Sequence, residues 1–330
     1  MSVLIKGAGV AGLTLAFELV QRGINVAVRD IKTSVGQGAS HYAGGMLAPY
    51  CEREAAEEQV LTLGLAAADW WERALPGSVT RKGTLVLTPN RDIQDLNRFA
   101  SRTSGHQWLD ADGIAALEPD LAGRFRKGLF FADEAHLDPR QALDGLYQAL
   151  VQQDVSFYLG PDAEPDTSSF DCIVDCTGAA AIDTIENLRG VRGEMIYLQT
   201  PDISLSRPIR LLHPRHPIYI VPRDNNCFMV GATMIEARDD GPISARSLME
   251  FLNAAYTLNP AFGEARLIEA GVGIRPALAD NLPRIIETRD GFAIAGMYRH
   301  GFLLSPAMAR QAADRIEHAT SNQPNRRATR

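Results

Sequence analysis

The apolar positions at the start of the chain follow spacings that are typical of different secondary structures. Val3–Lys6 is a short apolar run, and the glycine-rich stretch Gly7–Gly12 follows it. Leu13–Gln21 carries apolar residues at helical spacing, and Asn25–Asp30 carries alternating apolar residues. Buried strands favour the first pattern, amphipathic helices the second and half-buried strands the third. The sequence therefore predicts a strand–turn–helix–strand opening.

The same patterns recur further along the chain. Helices are predicted at Glu54–Leu75, Pro139–Gln152, Ser247–Leu258 and Ser305–Ala319, and strands at Gly83–Thr88, Gly128–Ala132, Phe170–Cys176 and Phe292–Ala295. Short strand-like runs fill residues 193–233. Because strands and helices alternate at both ends, we expect an α/β fold with a doubly wound, Rossmann-like parallel sheet. The strand-rich middle predicts an inserted β-rich α+β domain.

This alternation predicts domains that are discontinuous in sequence. We expect a dinucleotide-binding domain at 1–80, 135–188 and 266–318, a substrate domain at 81–134 and 189–265, and a disordered tail at 319–330. The chain has 330 residues, beyond the size at which a single core usually stops growing, and this agrees with two domains.

Composition and charge argue against several classes of protein. The formal net charge is −7 and no long basic run occurs, so no nucleic-acid partner is expected. No uninterrupted apolar run reaches membrane-spanning length, so no membrane span is expected. The four cysteines form no CxxC pair, which indicates buried thiols in a reducing cytoplasm. His213 and His216 have no further clustered ligands, so no metal site is expected.

The turn Gly7-Ala8-Gly9-Val10-Ala11-Gly12 matches the GxGxxG pattern of dinucleotide-binding folds. It follows a predicted strand and opens a predicted helix, as the pattern requires. Gly7 permits the tight turn, Gly9 lets the backbone approach a pyrophosphate, and Gly12 allows close helix–strand packing. The helix N-terminus offers free N–H groups to the phosphates. Asp30, at the end of the second strand, suits ribose hydroxyls and would repel the 2′-phosphate of NADP.

The fingerprint alone does not distinguish FAD from NAD, but two further segments favour a flavin. Residues 39–47 are mostly small, which allows a long cofactor to run close to the backbone; a flexible loop is the alternative interpretation. Residues 296–305 follow a predicted strand and precede the last helix. The N-terminus of that helix would face the flavin, where its dipole stabilises the negative charge that reduction builds.

A series of motifs gives a more specific identification. They are Gly7–Gly12, Gly44–Pro49, Val191–Glu194, Tyr219–Arg223, Val230–Met234, Gly273–Pro276 and Tyr298–Gly301. In this order they span nearly the whole chain, and they resemble the D-amino-acid oxidase family of flavoproteins. Within that family, the similarity is to the glycine oxidases of thiamine biosynthesis.

The resemblance implies two domains and a non-covalently bound FAD. The FAD contacts that it implies are Gly7, Gly9, Val10, Ala11, Gly12, Asp30, Ile31, Ala39, Ser40, Gly44, Gly45, Met46, Met297, Tyr298, Arg299, His300, Gly301, Phe302 and Leu303. The substrate residues that it implies are Arg275, Arg299, Tyr219 and Met234. Relatives commonly have His and Asn at the positions of Met297 and His300. The 157–170 segment is shorter than theirs, so no adenine-side contact maps there.

The chemistry of an amino-acid substrate explains why arginine is expected. A guanidinium forms two charge-assisted hydrogen bonds with a carboxylate. Arg275 lies between Ile274 and Pro276, where a solvated charge is out of place; a structural ion pair is its alternative role. Tyr219 lies in an apolar run and is either a core or a site residue. If the bound amine is neutral, no general base is needed, and His300 is either a proton carrier or a bystander.

The expected reaction is oxidative deamination of glycine. Its products are the imine, then glyoxylate and ammonia, with hydrogen peroxide formed from molecular oxygen, and the imine would feed thiazole formation in thiamine biosynthesis. The alternatives are a related oxidase or dehydrogenase of sarcosine or D-amino acids, a nicotinamide-binding protein without flavin, and an inert flavin-binding module. The sequence leaves the oligomeric state open, a homo-oligomer included.

Overall fold

A computed structural model describes residues 1–213 and 217–321, with side chains as far as residue 318. Its strands are β1 (Ser2–Lys6), β2 (Asn25–Asp30), β3 (Met46–Leu47), β4 (Thr84–Leu87), β5 (Gln107–Asp110), β6 (Lys127–Phe131), β7 (Ala135–His136), β8 (Ser156–Leu159), β9 (Cys172–Asp175), β10 (Arg189–Gln199), β11 (Ile209–Leu211), β12 (Ile218–Arg223), β13 (Cys227–Gly231), β14 (Ile235–Glu236), β15 (Arg266–Ala277), β16 (Arg284–Thr288) and β17 (Gly291–Ala295). Its α-helices are α1 (Val10–Gln21), α2 (Pro49–Glu52), α3 (Glu58–Gly64), α4 (Ala67–Ala74), α5 (Ile93–Arg102), α6 (Ala111–Leu117), α7 (Pro139–Val151), α8 (Ala245–Leu258) and α9 (Gly301–Ser321).

One sheet has six strands in the order β16–β17–β9–β1–β2–β8. Its neighbouring strands are parallel except for β16 and β17, which are antiparallel. Val3, Leu4 and Ile5 in β1 are fully buried, which is typical of a parallel sheet that is covered on both faces. Side chains of α1, α4, α7 and α9 complete this core. The strand–turn–helix–strand opening is therefore confirmed.

The other large sheet has nine strands and forms the β-rich part of the molecule. The order is β14–β10–β13–β12–β11–β4–β6–β5, and β15 also pairs with β10. The pairs are antiparallel except for β4 and β11. Phe251, Ala255 and Leu258 of α8 pack with this sheet in a second apolar core. The predicted combination of a doubly wound domain and a β-rich domain is confirmed by this architecture.

The predicted helix Glu54–Leu75 is wrong as one element, because α3 and α4 occupy this stretch separately. Gly64 is the last residue of α3, and glycine is among the weakest helix formers. It also lies so close to Leu303 that an added Cβ would be 2.8 Å from Leu303 Cδ1. Residues 65–66 form a turn after this contact, and α4 starts at Ala67.

Strand β15 changes the expected division between the domains. Sequence patterns gave residues 266–318 to the dinucleotide-binding domain, but β15 pairs along its length with β10 of the nine-stranded sheet. The sequence signal for this strand is weak, because it contains Gly271, Gly273 and Pro276 and both residue types are depleted in strands. We therefore propose a domain limit after Ala277.

The last helix starts earlier than the sequence indicates. It begins at Gly301, four residues before the predicted start at Ser305, and continues to Ser321. The rest of the expected tail at 319–330 lies outside the described residues, as does His216. Among the residues that are described, no helix is long and apolar enough to cross a membrane, and no group of His, Cys, Asp or Glu side chains is arranged to hold a metal ion.

Candidate active site

The glycine-rich turn between β1 and α1 has the shape that a pyrophosphate requires. Gly7 has a φ of +102°, and an added Cβ would lie 2.4 Å from the carbonyl oxygen of Cys176. An added Cβ on Gly12 would lie 1.9 Å from the carbonyl oxygen of Gly7. A Cβ on Gly9, in contrast, would meet only Ser40 Oγ, at 3.4 Å. Gly7 and Gly12 are thus needed for the fold, whereas Gly9 faces open space at the N-terminus of α1, the position at which the GxGxxG pattern predicts a pyrophosphate.

Two polar side chains fix the edges of this turn. The Asp30 carboxylate accepts hydrogen bonds from the backbone N–H of Ala8 at 2.6 Å and of Lys32 at 2.9 Å. Ser40 Oγ accepts from the N–H of Val10 at 3.1 Å. The predicted nucleotide residues at the ends of β1 and β2 are therefore brought together, and Asp30 is oriented at the point where ribose hydroxyls are expected.

The small-residue segment 39–47 connects the two sheets. Gly45 has a φ of +69°, and an added Cβ would lie 2.2 Å from the carbonyl oxygen of Leu137. Gly44 lies against Tyr219, where an added Cβ would be 2.8 Å from the ring, and its carbonyl accepts from Arg223 Nη2 at 2.7 Å. The segment also rests on β15, since an added Cβ on Gly271 would lie 2.3 Å from the Tyr42 ring. Glycines in this segment and in β15 therefore allow the two backbones to approach each other closely.

The segment before α9 reaches the same place from the other end of the chain. Tyr298 has a φ of 47°, and its N–H donates to the carbonyl of Pro276 at 2.8 Å. An added Cβ on Gly301 would lie 3.1 Å from Val10 Cγ1, so the N-termini of α1 and α9 are adjacent. Phe302 is held by Trp71, whose Nε1 donates to its carbonyl at 2.9 Å. Two helix N-termini thus lie side by side, an arrangement that fits an anionic dinucleotide and a reduced flavin.

Arg275 lies in the middle of the predicted substrate site. It extends from β15 across Gly193, where an added Cβ would lie 2.2 Å from the guanidinium carbon. Arg275 Nη1 donates to the carbonyl of Thr233 at 2.8 Å. Thr233 is fixed by Glu194, because its Oγ1 donates to the carboxylate at 3.1 Å and accepts from the Glu194 N–H at 2.9 Å.

The guanidinium of Arg275 is desolvated but has no counter-ion among the residues that the structure describes. Burial lowers the pKa of Arg275, although an arginine stays protonated at neutral pH. The structural ion pair that was the alternative role for this residue is not formed within the described part of the chain. A partly buried, oriented cation without an ion-pair partner in the described chain is the chemical counterpart of a carboxylate.

Arg299, in contrast, is paired with a carboxylate that the sequence analysis missed. Its Nη2 lies 2.7 Å from Glu52 Oε2, and His300 Nε2 lies 2.9 Å from the same oxygen. Glu52 Oε1 lies 3.1 Å from Arg210 Nη1. Because an ionised carboxylate only accepts hydrogen bonds, the His300 tautomer that satisfies the contact with Glu52 has its proton on Nε2. We refer to Glu52, Arg210, Arg299 and His300 as the Glu52 cluster.

The charges of this cluster determine the protonation of its members. Burial alone would raise the pKa of Glu52, but Arg299, His300 and Arg210 outweigh it and hold that pKa well below its ordinary value. Burial lowers the pKa of His300 despite the contact with Glu52, and the charges of Arg299 and Arg210 lower it further. At neutral pH the carboxylate is therefore ionised and the imidazole is neutral.

Tyr219 and Met234 border the same region. Burial raises the pKa of Tyr219, and the charges that act on its phenol include Arg275, Glu52 and Arg299. Met234 is 51% exposed, and its Sδ lies 3.4 Å from both Tyr298 Oη and Arg299 Nη1. The structure thus brings Arg275, Arg299, Tyr219 and Met234 to one region. Ile31, which follows Asp30 of the nucleotide site, is 66% exposed.

Single-sequence reasoning had only weak signals for the residues that it missed. Glu52 follows the Gly44–Pro49 motif by three positions, and Arg210 is the charged residue of the apolar strand Ile209–Leu211. A charged residue at such a position is a solvated or structural group as often as it is a functional residue. What identifies these two residues is their mutual contact, which joins segments 158 positions apart.

Comparison with known proteins agrees with this geometry. Residues 2–315 match the family model described as FAD dependent oxidoreductase, abbreviated DAO. A Rhizobium etli protein that carries the name putative thiamine biosynthesis oxidoreductase ThiO is 60% identical, with 100% of both chains covered. A glycine oxidase of Geobacillus kaustophilus is 28% identical over 96% of this chain and 92% of its own.

Solved structures show the same fold. The crystal structure of glycine oxidase from Geobacillus kaustophilus has a TM-score of 0.80 at 25% identity and covers 96% of this chain and 94% of its own. The iminodiacetate oxidase of Chelativorans sp. has a TM-score of 0.81 at 22% identity, with 99% and 98% covered, and it supports the fold alone. Because the family model matches almost the whole chain, and a relative of the same length is 60% identical, this protein belongs to the D-amino-acid oxidase family of FAD-dependent oxidoreductases.

Proposed function

We propose that this FAD-dependent oxidoreductase catalyses the oxidative deamination of glycine. In the full reaction, glycine, water and molecular oxygen give glyoxylate, ammonia and hydrogen peroxide, and the imine of glycine is the first product. The observation that supports a small amino acid is the partly buried guanidinium of Arg275, which is oriented by Thr233 and lacks a carboxylate partner in the described residues.

A glycine carboxylate meets a demanding requirement in such a site. It must leave water, which is costly unless a partner compensates its charge. Arg275 is already desolvated in the free protein, so pairing offsets the desolvation cost of both charged groups. The contact with Thr233 uses Nη1, and a planar guanidinium has further N–H groups for two parallel bonds to the substrate. The anchor also fixes the direction of Cα, which is the main contribution that positioning makes to rate.

The side chains around the anchor favour a substrate without a large side chain. Tyr219 lies directly against Gly44 of the proposed flavin-contacting segment. Met234 is half-exposed and contacts both Tyr298 and Arg299. A benzyl side chain next to the anchor would compete with these bulky groups for space, which reduces binding.

The protein groups near the anchor are poorly suited to remove a proton from Cα. Glu52 is ionised but fully engaged by basic groups that lower its pKa, which makes it a weak base. His300 is a weak base as well, because burial and the charges of Arg299 and Arg210 lower the pKa of its imidazole. Bound FAD would supply the two-electron oxidant. The chain then has to bind the neutral amine, orient Cα and exclude water, so no general base is required.

The proposed FAD contacts are the predicted ones, from Gly7–Gly12, Asp30, Ile31, Ala39, Ser40, Gly44–Met46 and Met297–Leu303. The name of the Rhizobium etli relative further suggests the pathway. On that basis we propose that the imine of glycine supplies the thiazole precursor in thiamine biosynthesis.

An anaerobic substrate panel tests this function. Glycine and sarcosine should bleach the bound flavin faster than D-alanine, and D-phenylalanine should be slowest, because the site has one carboxylate anchor and bulky walls. Oxygen consumption with glycine should then yield hydrogen peroxide in equal amount. Faster bleaching by D-phenylalanine than by glycine would contradict the proposal.

A further inference from the structure

The Glu52 cluster contains two guanidinium groups that a second substrate carboxylate could otherwise use. Arg210 and Tyr219 are directly opposite each other in the β11–β12 pair, so Arg210 belongs to the wall of the proposed substrate site. Arg299 follows Tyr298 on the other side of that site. Both guanidinium groups are largely buried, with side-chain exposures of 13% and 18%.

A single carboxylate occupies the space between them. Glu52 pairs with Arg210 through Oε1 and with Arg299 through Oε2, and His300 also binds Oε2. Both oxygens of Glu52 are therefore used, in the way that an external carboxylate would use its own. Of the three arginines around the site, Arg275 alone lacks such a partner within the described chain.

The position of Arg210 does not depend on Glu52 alone. Its guanidinium carbon also lies 5.3 Å from the centroid of the Phe99 ring, which packs against it. Removing the charge of Glu52 would thus leave a desolvated cation in place, rather than a side chain that returns to water.

We infer that Glu52 restricts the enzyme to amines with one carboxylate, because it occupies the two arginines that would bind a second. An amine that carries a second carboxylate meets the ionised Glu52, and two carboxylates at one site repel each other. The inference rests on the proposed function, since it assumes that the first carboxylate binds at Arg275. Glu52 is in this sense a specificity-determining residue.

The charge of Glu52 is a stable feature across the working pH range. Its pKa is held well below the ordinary value by the basic groups around it. Mild acidification therefore leaves the residue ionised, and discrimination against dicarboxylates should stay unchanged between pH 8 and about pH 5.5.

The test compares wild type with Glu52→Gln in the FAD-loaded enzyme, by two readouts. The first is binding of unreactive anions, acetate and malonate, measured as the shift in thermal unfolding temperature. The second is the ratio of kcat/KM for glycine to that for iminodiacetate and for D-aspartate. In wild type, malonate should bind no more tightly than acetate. In Glu52→Gln, malonate should bind at least tenfold more tightly than in wild type, while acetate changes less than threefold.

Three further variants separate specificity from a structural role. Glu52→Asp keeps the charge and should keep the wild-type discrimination. Glu52→Gln combined with Arg210→Gln should lose the gain for malonate, because the uncovered guanidinium is removed. Glu58→Gln removes a carboxylate of an exposed pair with Arg53 and should behave as wild type.

Several outcomes would overturn the inference. One is tighter binding of malonate than of acetate, by tenfold or more, in wild type; this measurement needs no variant to fold. Another is a Glu52→Gln enzyme that binds both anions more weakly while the ratio of malonate affinity to acetate affinity stays unchanged. That result would make the residue a structural partner of Arg299. If wild type discriminates between the anions as expected but does not oxidise glycine, the proposed function fails and the role of Glu52 stands.

Discussion

Replacement of Arg275 is the most direct perturbation of the proposed site. In the free protein this side chain donates to Thr233 and has no ion-pair partner among the described residues, so Arg275→Ala leaves no buried carboxylate unpaired. The folded protein loses one hydrogen bond of about 1 kcal/mol, and it also loses the desolvation cost of a partly buried cation. Stability and flavin content should therefore change little.

The loss should appear instead when substrate binds. Truncating one partner of a buried charge pair costs roughly 2–5 kcal/mol, which corresponds to about thirty- to several-thousand-fold in kcat/KM. Arg275→Ala should lose at least the lower factor on glycine. Arg275→Lys should recover part of the loss, because an ammonium group keeps the charge but lacks the planar pair of donors. Glycine ethyl ester, which has no carboxylate, should be a poor substrate and nearly insensitive to either change.

The assay is steady-state oxidation of glycine at matched flavin occupancy, determined from the visible absorbance of each preparation. Arg238→Ala is a matched control, because Arg238 belongs to an exposed pair with Asp183 and its side chain is 56% exposed. The control should stay within about twofold of wild type, since exposed pairs contribute little. If Arg275→Ala oxidises glycine within a few-fold of wild type, the anchor assignment is wrong.

Two further predictions concern the cofactor turn and a buried acid. Gly9→Val should fold, since its side chain enters open space, but it should purify without yellow colour because that space is assigned to the pyrophosphate. Gly12→Val should instead lower the unfolding temperature, because a Cβ there meets the Gly7 carbonyl. A yellow Gly9→Val protein would contradict the pyrophosphate assignment. Burial raises the pKa of Glu134 to about 7, so the folded chain holds this proton more tightly than the unfolded chain, and stability should decline as pH rises from the ordinary glutamate range to about 7 and level off above it. Glu134→Gln should remove much of this decline and stabilise the protein at pH 8 by roughly 1–3 kcal/mol, as measured from unfolding curves between pH 5 and 8; an unchanged pH profile would show that another group is responsible.

The fold was predictable to the extent that local pattern determined it. The strand Asn25–Asp30 was predicted at its observed bounds, because turns and alternating apolar residues mark it clearly. Strand β15 was not predicted, because Gly271 and Gly273 suit the packing of Tyr42 and Ala39 rather than local strand preference, and Pro276 is also unusual in a strand. Tertiary contact overrode propensity there.

A site residue could be predicted from the sequence only where a short motif around it indicates its role. Arg275 was singled out because it lies in the Gly273–Pro276 motif that resembles the family, and because its charge lies between apolar neighbours. Glu52 and Arg210 were missed because each has meaning only through the other, and their contact depends on how α2 packs against β11. A glutamate in a helical stretch is ordinary until a fold brings two arginines to it.

The glycines of β15 have a further consequence for how ligands influence each other. Gly271 and Gly273 lie beneath Tyr42 and Ala39, in the segment proposed to contact FAD, and Arg275 is two positions further along the same strand. The proposed cofactor segment therefore packs against the strand that carries the substrate anchor, and a shift of that strand reaches both. By thermodynamic reciprocity, if a bound carboxylate raises the affinity for the flavin by some factor, bound flavin raises the affinity for the carboxylate by the same factor. Occupied and empty enzyme would then differ in cofactor loss as well as in activity, which makes amino-acid supply a determinant of how long each molecule stays in its holo form.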